Sequence, residues 1–210
     1  MIDLSLPIDQ HALAEGRRIL TLLPTTSQPI TRLYLHWSVG TYNETFTDYN
    51  LMSVINGDEF IGLVTHNPED NAVGSPHMGS HTAGRNTGAL GIAVAAMYGA
   101  TEHDFGSYGM TQHQINVFNS ITAAAAKKYG VDVNGVTHDG EPLIITHAEV
   151  AMFDSYFPGD PVVAGKSESG PPYRWDLARV NPSADPLSKR EALLTGDQLR
   201  MAIRQYKINL

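Results

Sequence analysis

The chain has 210 residues, of which 42% are hydrophobic and 17% are charged, and its formal net charge is −8. This length and apolar content suffice for one well-filled core, so we expect a single globular domain. The negative charge argues against nucleic acid as a partner and against a polybasic membrane anchor. Because the chain has no cysteine, a metal site would have to be built from histidine and carboxylate.

The N-terminal segment has neither the early positive charge nor the apolar core of a signal peptide. Nowhere do about 18 consecutive apolar residues appear, so no membrane insertion is expected. We therefore predict synthesis and folding in a cytoplasm. Residues 8–22 predict a short helix despite Gly16, and residues 1–30 are interpreted as an N-terminal extension.

Strand-like runs begin at Leu33. LYLH, LMSVIN and EFIGLVT follow one another, and Asn56-Gly57-Asp58 gives hairpin-turn chemistry between the second and the third. Residues 67–91 are rich in small polar residues and predict a long loop, which is a frequent location of function. The run LGIAVAAMYG that follows is apolar throughout, so it predicts a strand buried on both faces.

The second half of the chain predicts further helices. Thr111 and Gln114 fit a capping box at the start of one helix, and PLIITH predicts another short strand. Thr195 and Gln198 indicate the start of a short amphipathic helix at the C-terminus. Strands in the middle, with helices between them and at both ends, predict an α/β fold in which a mixed central β-sheet is covered by helices.

Two histidines, His36 and His147, each follow an apolar strand, where a sheet presents side chains to a cleft. Asp176 lies in a later loop, and its carboxylate could meet both imidazoles if that loop folds over the sheet. Two imidazoles and one carboxylate, with a fourth position open to water, form a recognised catalytic zinc set that suits amide hydrolysis. The alternative is that each histidine simply caps its strand, and seven other histidines compete with them.

Five stretches follow one another along the chain: LYLHWSVG, DYNLMSVINGD, GSHTAGRNTGALGIAV, IITHAEVA and YRWDL. In this order they resemble motifs of the zinc-dependent N-acetylmuramoyl-L-alanine amidases of the amidase-2 and peptidoglycan recognition protein superfamily. The first resembles the strand of the first histidine ligand, and the last two resemble the segments that hold the second and third ligands. The match implies an amidase-2-like catalytic domain over residues 31–182, with residues 183–210 forming a helical segment packed on it.

The resemblance implies zinc on His36, His147 and Asp176. It also places Tyr49 near the metal, where its phenol would orient water or donate a hydrogen bond to the developing oxyanion; the alternative is a core aromatic residue. Arg174 occupies a position where family members more often carry lysine. Because arginine stays charged, it would stabilise negative charge on the tetrahedral intermediate, unless it is simply an exposed loop residue.

Three residues match positions that would contact the substrate. His81 and Asn86 match the edge of the family's substrate cleft, and Trp37 beside the first ligand would stack on a sugar or peptide face. Each has a structural alternative, which is hydrogen bonding within the loop for His81 and Asn86 and core packing for Trp37.

Ala93 departs from the family pattern, because the cytosolic recycling amidases have a glutamate there. Without that carboxylate, proton handling would fall to Tyr49, to the metal-activated water or to an acid such as Glu149 or Glu44. The departure places the chain nearer the phage lysozyme-type branch.

The resemblance thus implies a peptidoglycan hydrolase that cuts the amide bond between N-acetylmuramic acid and L-alanine, acting as a monomer on peptidoglycan or muropeptides. A phage or prophage endolysin, made in the cytoplasm and acting on the cell wall, is the expected biology. The alternatives are a cytoplasmic muropeptide-recycling amidase, a non-catalytic peptidoglycan-binding module, and a metal-free hydrolase that uses Ser38 or Ser80. For the last of these the sequence offers no nucleophile-elbow pattern.

Overall fold

Five strands form one mixed sheet at the centre of the protein. The computed structural model describes residues 1–158, 160 and 175–210. The strands are β1 (Arg32–Trp37), β2 (Leu51–Asn56), β3 (Glu59–Val64), β4 (Ala89–Val94) and β5 (Ile144–Thr146). Their order across the sheet is β3-β2-β4-β1-β5. β1 runs parallel to β4 and β5, β2 runs parallel to β4, and β3 is antiparallel to β2.

Helices flank this sheet. They are α1 (Gln10–Leu22), α2 (Pro68–Val73), α3 (Gln112–Lys128), α4 (His147–Phe153) and α5 (Lys189–Asn209). α1 packs along α3, and α5 packs against both α3 and α4. The predicted mixed sheet covered by helices, in one compact domain, is confirmed. No helix in the described part of the chain is both long and apolar enough to cross a membrane.

The centre of the sheet is its most buried part. All six residues of β4 are buried, as predicted for a strand covered on both faces, and so are five of the six in β1. β4 ends at Val94, however, before the apolar run ends. Met97 takes a φ of 77°, a left-handed conformation that a strand does not accommodate, so the chain turns there.

The hairpin between β2 and β3 forms as predicted, with Gly57 at a φ of 66°. The predicted loop 67–91 is wrong in part, because it contains α2. Asn67 accepts a hydrogen bond from the backbone N–H of Glu69, a proline follows at the first helical position, and Gly74 ends the helix with a φ of 67°. These are ordinary helix start and stop signals, compressed into eight residues.

The two predicted capping boxes differ in outcome. Thr111 does cap α3, but the amide of Gln114 donates to the carbonyls of Ser53 and Ala95 instead of closing the box. The predicted start of the C-terminal helix at Thr195 is wrong. α5 begins at Lys189, because Ser188 provides the same capping chemistry about two turns earlier. Thr195 lies inside the helix, and its hydroxyl donates to the carbonyl of Ala178.

Candidate metal centre

Two histidines meet at the C-terminal edge of the sheet. The β1–β5 register pairs Leu35 with Thr146, so the next residues, His36 and His147, are neighbours. Their ring centroids are 4.6 Å apart. His36 lies in β1 as predicted, whereas His147 is the first residue of α4 and follows β5 directly. The parallel pairing of the two strands is therefore what brings the imidazoles together.

Asp176 completes the group. Its Oδ2 lies 3.3 Å from Nδ1 of His36 and 3.1 Å from Nδ1 of His147. One potential ligand atom from each of the three residues lies within 4.8 Å of the others. Ligand atoms on a tetrahedral zinc ion, with bonds of about 2.0–2.2 Å, lie roughly 3.3–3.6 Å from one another. The two distances to Asp176 are close to that spacing, and the three residues could hold a metal ion.

Backbone contacts position Asp176. Its carbonyl accepts a hydrogen bond from the N–H of Ala148 in the first turn of α4, at 3.1 Å. The preceding Trp175 packs edge-on against Trp37 of β1, with ring centroids 4.6 Å apart. The following Leu177 is fully buried at a φ of 60°. The segment is thus attached to both elements that carry the histidines.

The electrostatics of the cluster favour a charged carboxylate. Burial alone would raise the pKa of Asp176, but the charges and hydrogen bonds of His147 and His36 outweigh it and hold the pKa well below its usual range. Nε2 of His147 is buried without a hydrogen-bond partner among the described residues. Nδ1 is the nitrogen that faces Asp176, so a neutral His147 that binds a metal ion through Nδ1 would carry its proton on Nε2. These residues fit a divalent metal ion.

Tyr49 lies beside the first candidate ligand, as predicted. Its ring centroid is 5.3 Å from that of His36, and its hydroxyl donates to the carbonyl of Trp37 over 3.3 Å. Burial, followed by the negative charges of Asp176 and Asp48, raises the pKa of the Tyr49 hydroxyl well above its ordinary value. The group therefore stays protonated at neutral pH and can act as a donor.

The loop residues His81 and Asn86 are also close to the cluster. The ring centroid of His81 lies 5.7 Å from that of His36. Burial, together with the nearby His36, lowers the pKa of His81 well below its ordinary value, although the backbone of Ala89 opposes this. The side chain of Asn86 accepts a hydrogen bond from the N–H of Thr82 at 2.8 Å. That contact is the hydrogen-bonding role that the sequence left open for Asn86.

The remaining predicted positions are Trp37, Arg174 and the two serines of the metal-free alternative. Trp37 is 2% exposed and packs against Phe105 as well as Trp175, which agrees with the core role that the sequence left open for it. Arg174 lies outside the described residues.

The metal-free alternative would use Ser38 or Ser80. Oγ of Ser38 accepts a hydrogen bond from the N–H of Gly40, and Oγ of Ser80 donates to the carbonyl of Met78 at 3.5 Å.

Two features of the site were not predicted. One is the hydroxyl of Thr82, which lies between His36 and His81. The other is an ion pair between Arg200 of α5 and the fully buried Glu149 of α4. The Thr-x-x-Glu spacing in THAE could have indicated the structural role of Glu149, since Thr146 and Glu149 form a complete capping box at the start of α4. This carboxylate is therefore occupied by structural contacts.

A glycine of β4 makes room for His81. A Cβ at Gly91 would collide with the ring of His81. We expect Gly91→Ala to destabilise the fold by about 1–3 kcal/mol, because overpacking forces neighbouring groups to shift. Urea unfolding measures this loss, and zinc affinity should fall with it. Gly62→Ala is the matched control, because a Cβ at this position in β3 would collide with Ile121 of α3 and Ile19 of α1 instead. Equal zinc affinities in the two variants would contradict the expectation.

No family model, curated protein or solved structure matches the chain. Three protein ligands leave a further coordination position on a zinc ion for water or substrate. The side chains of His147 and Asp176 are 11% and 14% exposed, so the cluster reaches the surface on their side. Such an arrangement suits hydrolysis more than a closed structural site.

Proposed function

We propose that the protein is a zinc-dependent amidase that cuts the bond between N-acetylmuramic acid and L-alanine in peptidoglycan. The observation that carries the proposal is the convergence of His36, His147 and Asp176. Asp176 is 140 residues from His36 and 29 from His147 in the chain, yet their ligand atoms lie within 4.8 Å of one another. The five motifs in family order support the choice of substrate.

Each side chain has a role that follows from its contacts. A bound zinc ion would lower the pKa of a water molecule to about 7 and polarise the substrate carbonyl. His36 and His147 would supply neutral nitrogen ligands, and Asp176 would supply one negative charge. The hydroxyl of Tyr49 could leave its long contact with the Trp37 carbonyl and donate to the oxygen on which charge develops.

Chelation tests this proposal. A soluble muropeptide with an intact lactyl–alanine bond should be cut into free stem peptide and intact sugar, as identified by mass spectrometry. Chelator treatment should abolish the activity, and added zinc should restore it. Magnesium is the control and should not restore activity, because it prefers six oxygen ligands. Full activity in protein shown to be free of metal, or cleavage at another bond, would contradict the proposal.

The same assay distinguishes the related roles. An endolysin should release stem peptides from intact sacculi, whereas turnover confined to soluble fragments would indicate a muropeptide-recycling amidase. Binding of muropeptide by the zinc-loaded protein without release of peptide would indicate a recognition module.

A further inference from the structure

Thr82 links the candidate ligand His36 to a second buried histidine. Its Oγ1 lies 3.2 Å from Nε2 of His36 and 3.1 Å from Nδ1 of His81. Less than a tenth of each of the three residues is exposed. Bulk water therefore does not compete for these contacts, and the two rings share one hydroxyl.

The metal-binding role fixes where the proton of His36 must be. A neutral imidazole carries one N–H and one lone pair. Nδ1 of His36 faces Asp176, so it is the nitrogen that would bind the metal ion through its lone pair. The proton is then on Nε2, the atom that faces Thr82.

The proton on Nε2 of His36 then determines which hydrogen bonds the Thr82 hydroxyl can make. Since the Nε2–H of His36 donates to Thr82, the hydroxyl of Thr82 is free to donate to Nδ1 of His81. If it does so, His81 presents a lone pair at Nδ1 and carries its proton on Nε2.

The fold holds Thr82 in place independently of a metal ion. Its N–H donates to the side chain of Asn86, and the neighbouring His81 ring fits only because position 91 is glycine. The position of Thr82 therefore does not depend on a bound metal ion.

We propose that Thr82 is a positioning residue of the metal centre, whose hydroxyl keeps the proton of His36 on Nε2 and so presents the Nδ1 lone pair to the metal ion. This inference rests on the proposed metal centre at His36, His147 and Asp176. Ligand histidines generally donate their second N–H to a partner that sets the tautomer, and loss of such a partner costs about 10–100-fold in metal affinity.

Three variants test the proposal by zinc competition against a chromophoric chelator. Thr82→Val keeps the shape and removes the hydroxyl, so zinc affinity should fall about 10–100-fold. Thr82→Ser keeps the hydroxyl and should restore affinity close to that of the original protein. Thr122→Val is the matched control, because Thr122 is an equally buried threonine whose hydroxyl donates to Phe118 within α3. Its zinc affinity should not change.

NMR of the zinc-loaded, ¹⁵N-histidine-labelled protein provides a second test that needs no variant. We expect His36 to be protonated on Nε2 and His81 to be unprotonated on Nδ1. A proton on Nδ1 of His36, or equal zinc affinity in Thr82→Val and Thr122→Val, would overturn the inference while leaving the metal centre intact. Absence of zinc binding by the unmodified protein would instead reject the centre itself, and the inference with it.

Discussion

Replacing Asp176 by Asn should abolish the stabilisation of the protein by zinc. The substitution keeps the size of the side chain but removes the negative charge from between His36 and His147. Two imidazoles without the carboxylate form an incomplete ligand set, so affinity should fall by more than the roughly 10–100-fold that loss of an outer partner costs.

Thermal unfolding measures this loss directly. A ligand at 1,000 times its Kd stabilises the folded state by about 4 kcal/mol. A domain of this size gains about 2–4 °C in Tm per kcal/mol, so zinc should raise the Tm of the unmodified protein by roughly 8–16 °C. Asp176→Asn should show little shift. His77→Ala is the control, because it removes an exposed histidine outside the cluster. A full zinc shift in Asp176→Asn would show that the ion binds elsewhere.

Arg200→Ala is expected to cause the largest loss of stability in the metal-free protein. The guanidinium donates twice to the carboxylate of Glu149, at 3.0 and 2.8 Å, and once to the carbonyl of Ile144. The same carboxylate accepts from the N–H of Thr146 at 2.9 Å. Removing one partner of a buried pair leaves the other charge uncompensated, which costs about 3–5 kcal/mol.

The pair also supports the metal centre. Glu149 caps the helix that begins with His147, and Ile144 lies in the strand before it. Zinc affinity should therefore fall in Arg200→Ala. Asp197→Ala is the matched control, because Asp197 contacts the same guanidinium at 2.8 Å but its side chain is 69% exposed. Such surface pairs contribute at most about 1 kcal/mol. Similar urea midpoints for the two variants would contradict the role assigned to the buried pair.

The parts of the fold that are coded locally were predictable. The apolar runs of β1 and β4 and the Asn-Gly turn between β2 and β3 are patterns within a few residues, and all three appear in the structure. Histidines at the ends of two apolar strands were also visible. That the two histidines meet was implied only by the family resemblance, and the parallel pairing of β1 with β5 that brings them together was not predicted.

The parts that depend on distant contacts were not predictable. Thr82 gains its role only because its loop folds against β1, and Glu149 only because α5 lies over α4. Local capping signals were ambiguous as well, since both Ser188 and Thr195 begin a pattern typical of a helix start. The helix begins after Ser188. Thr195 lies inside the helix, where its hydroxyl donates to the segment that follows Asp176.

Because the two indoles touch, the tryptophan fluorescence of the protein reports on this contact. The chain has only two tryptophans, and they touch each other, one next to His36 and the other next to Asp176. Tryptophan emission of the protein therefore originates at this junction. Separation of the segment that carries the carboxylate from the strand that carries the first imidazole would be visible optically, without a label and without chemical modification.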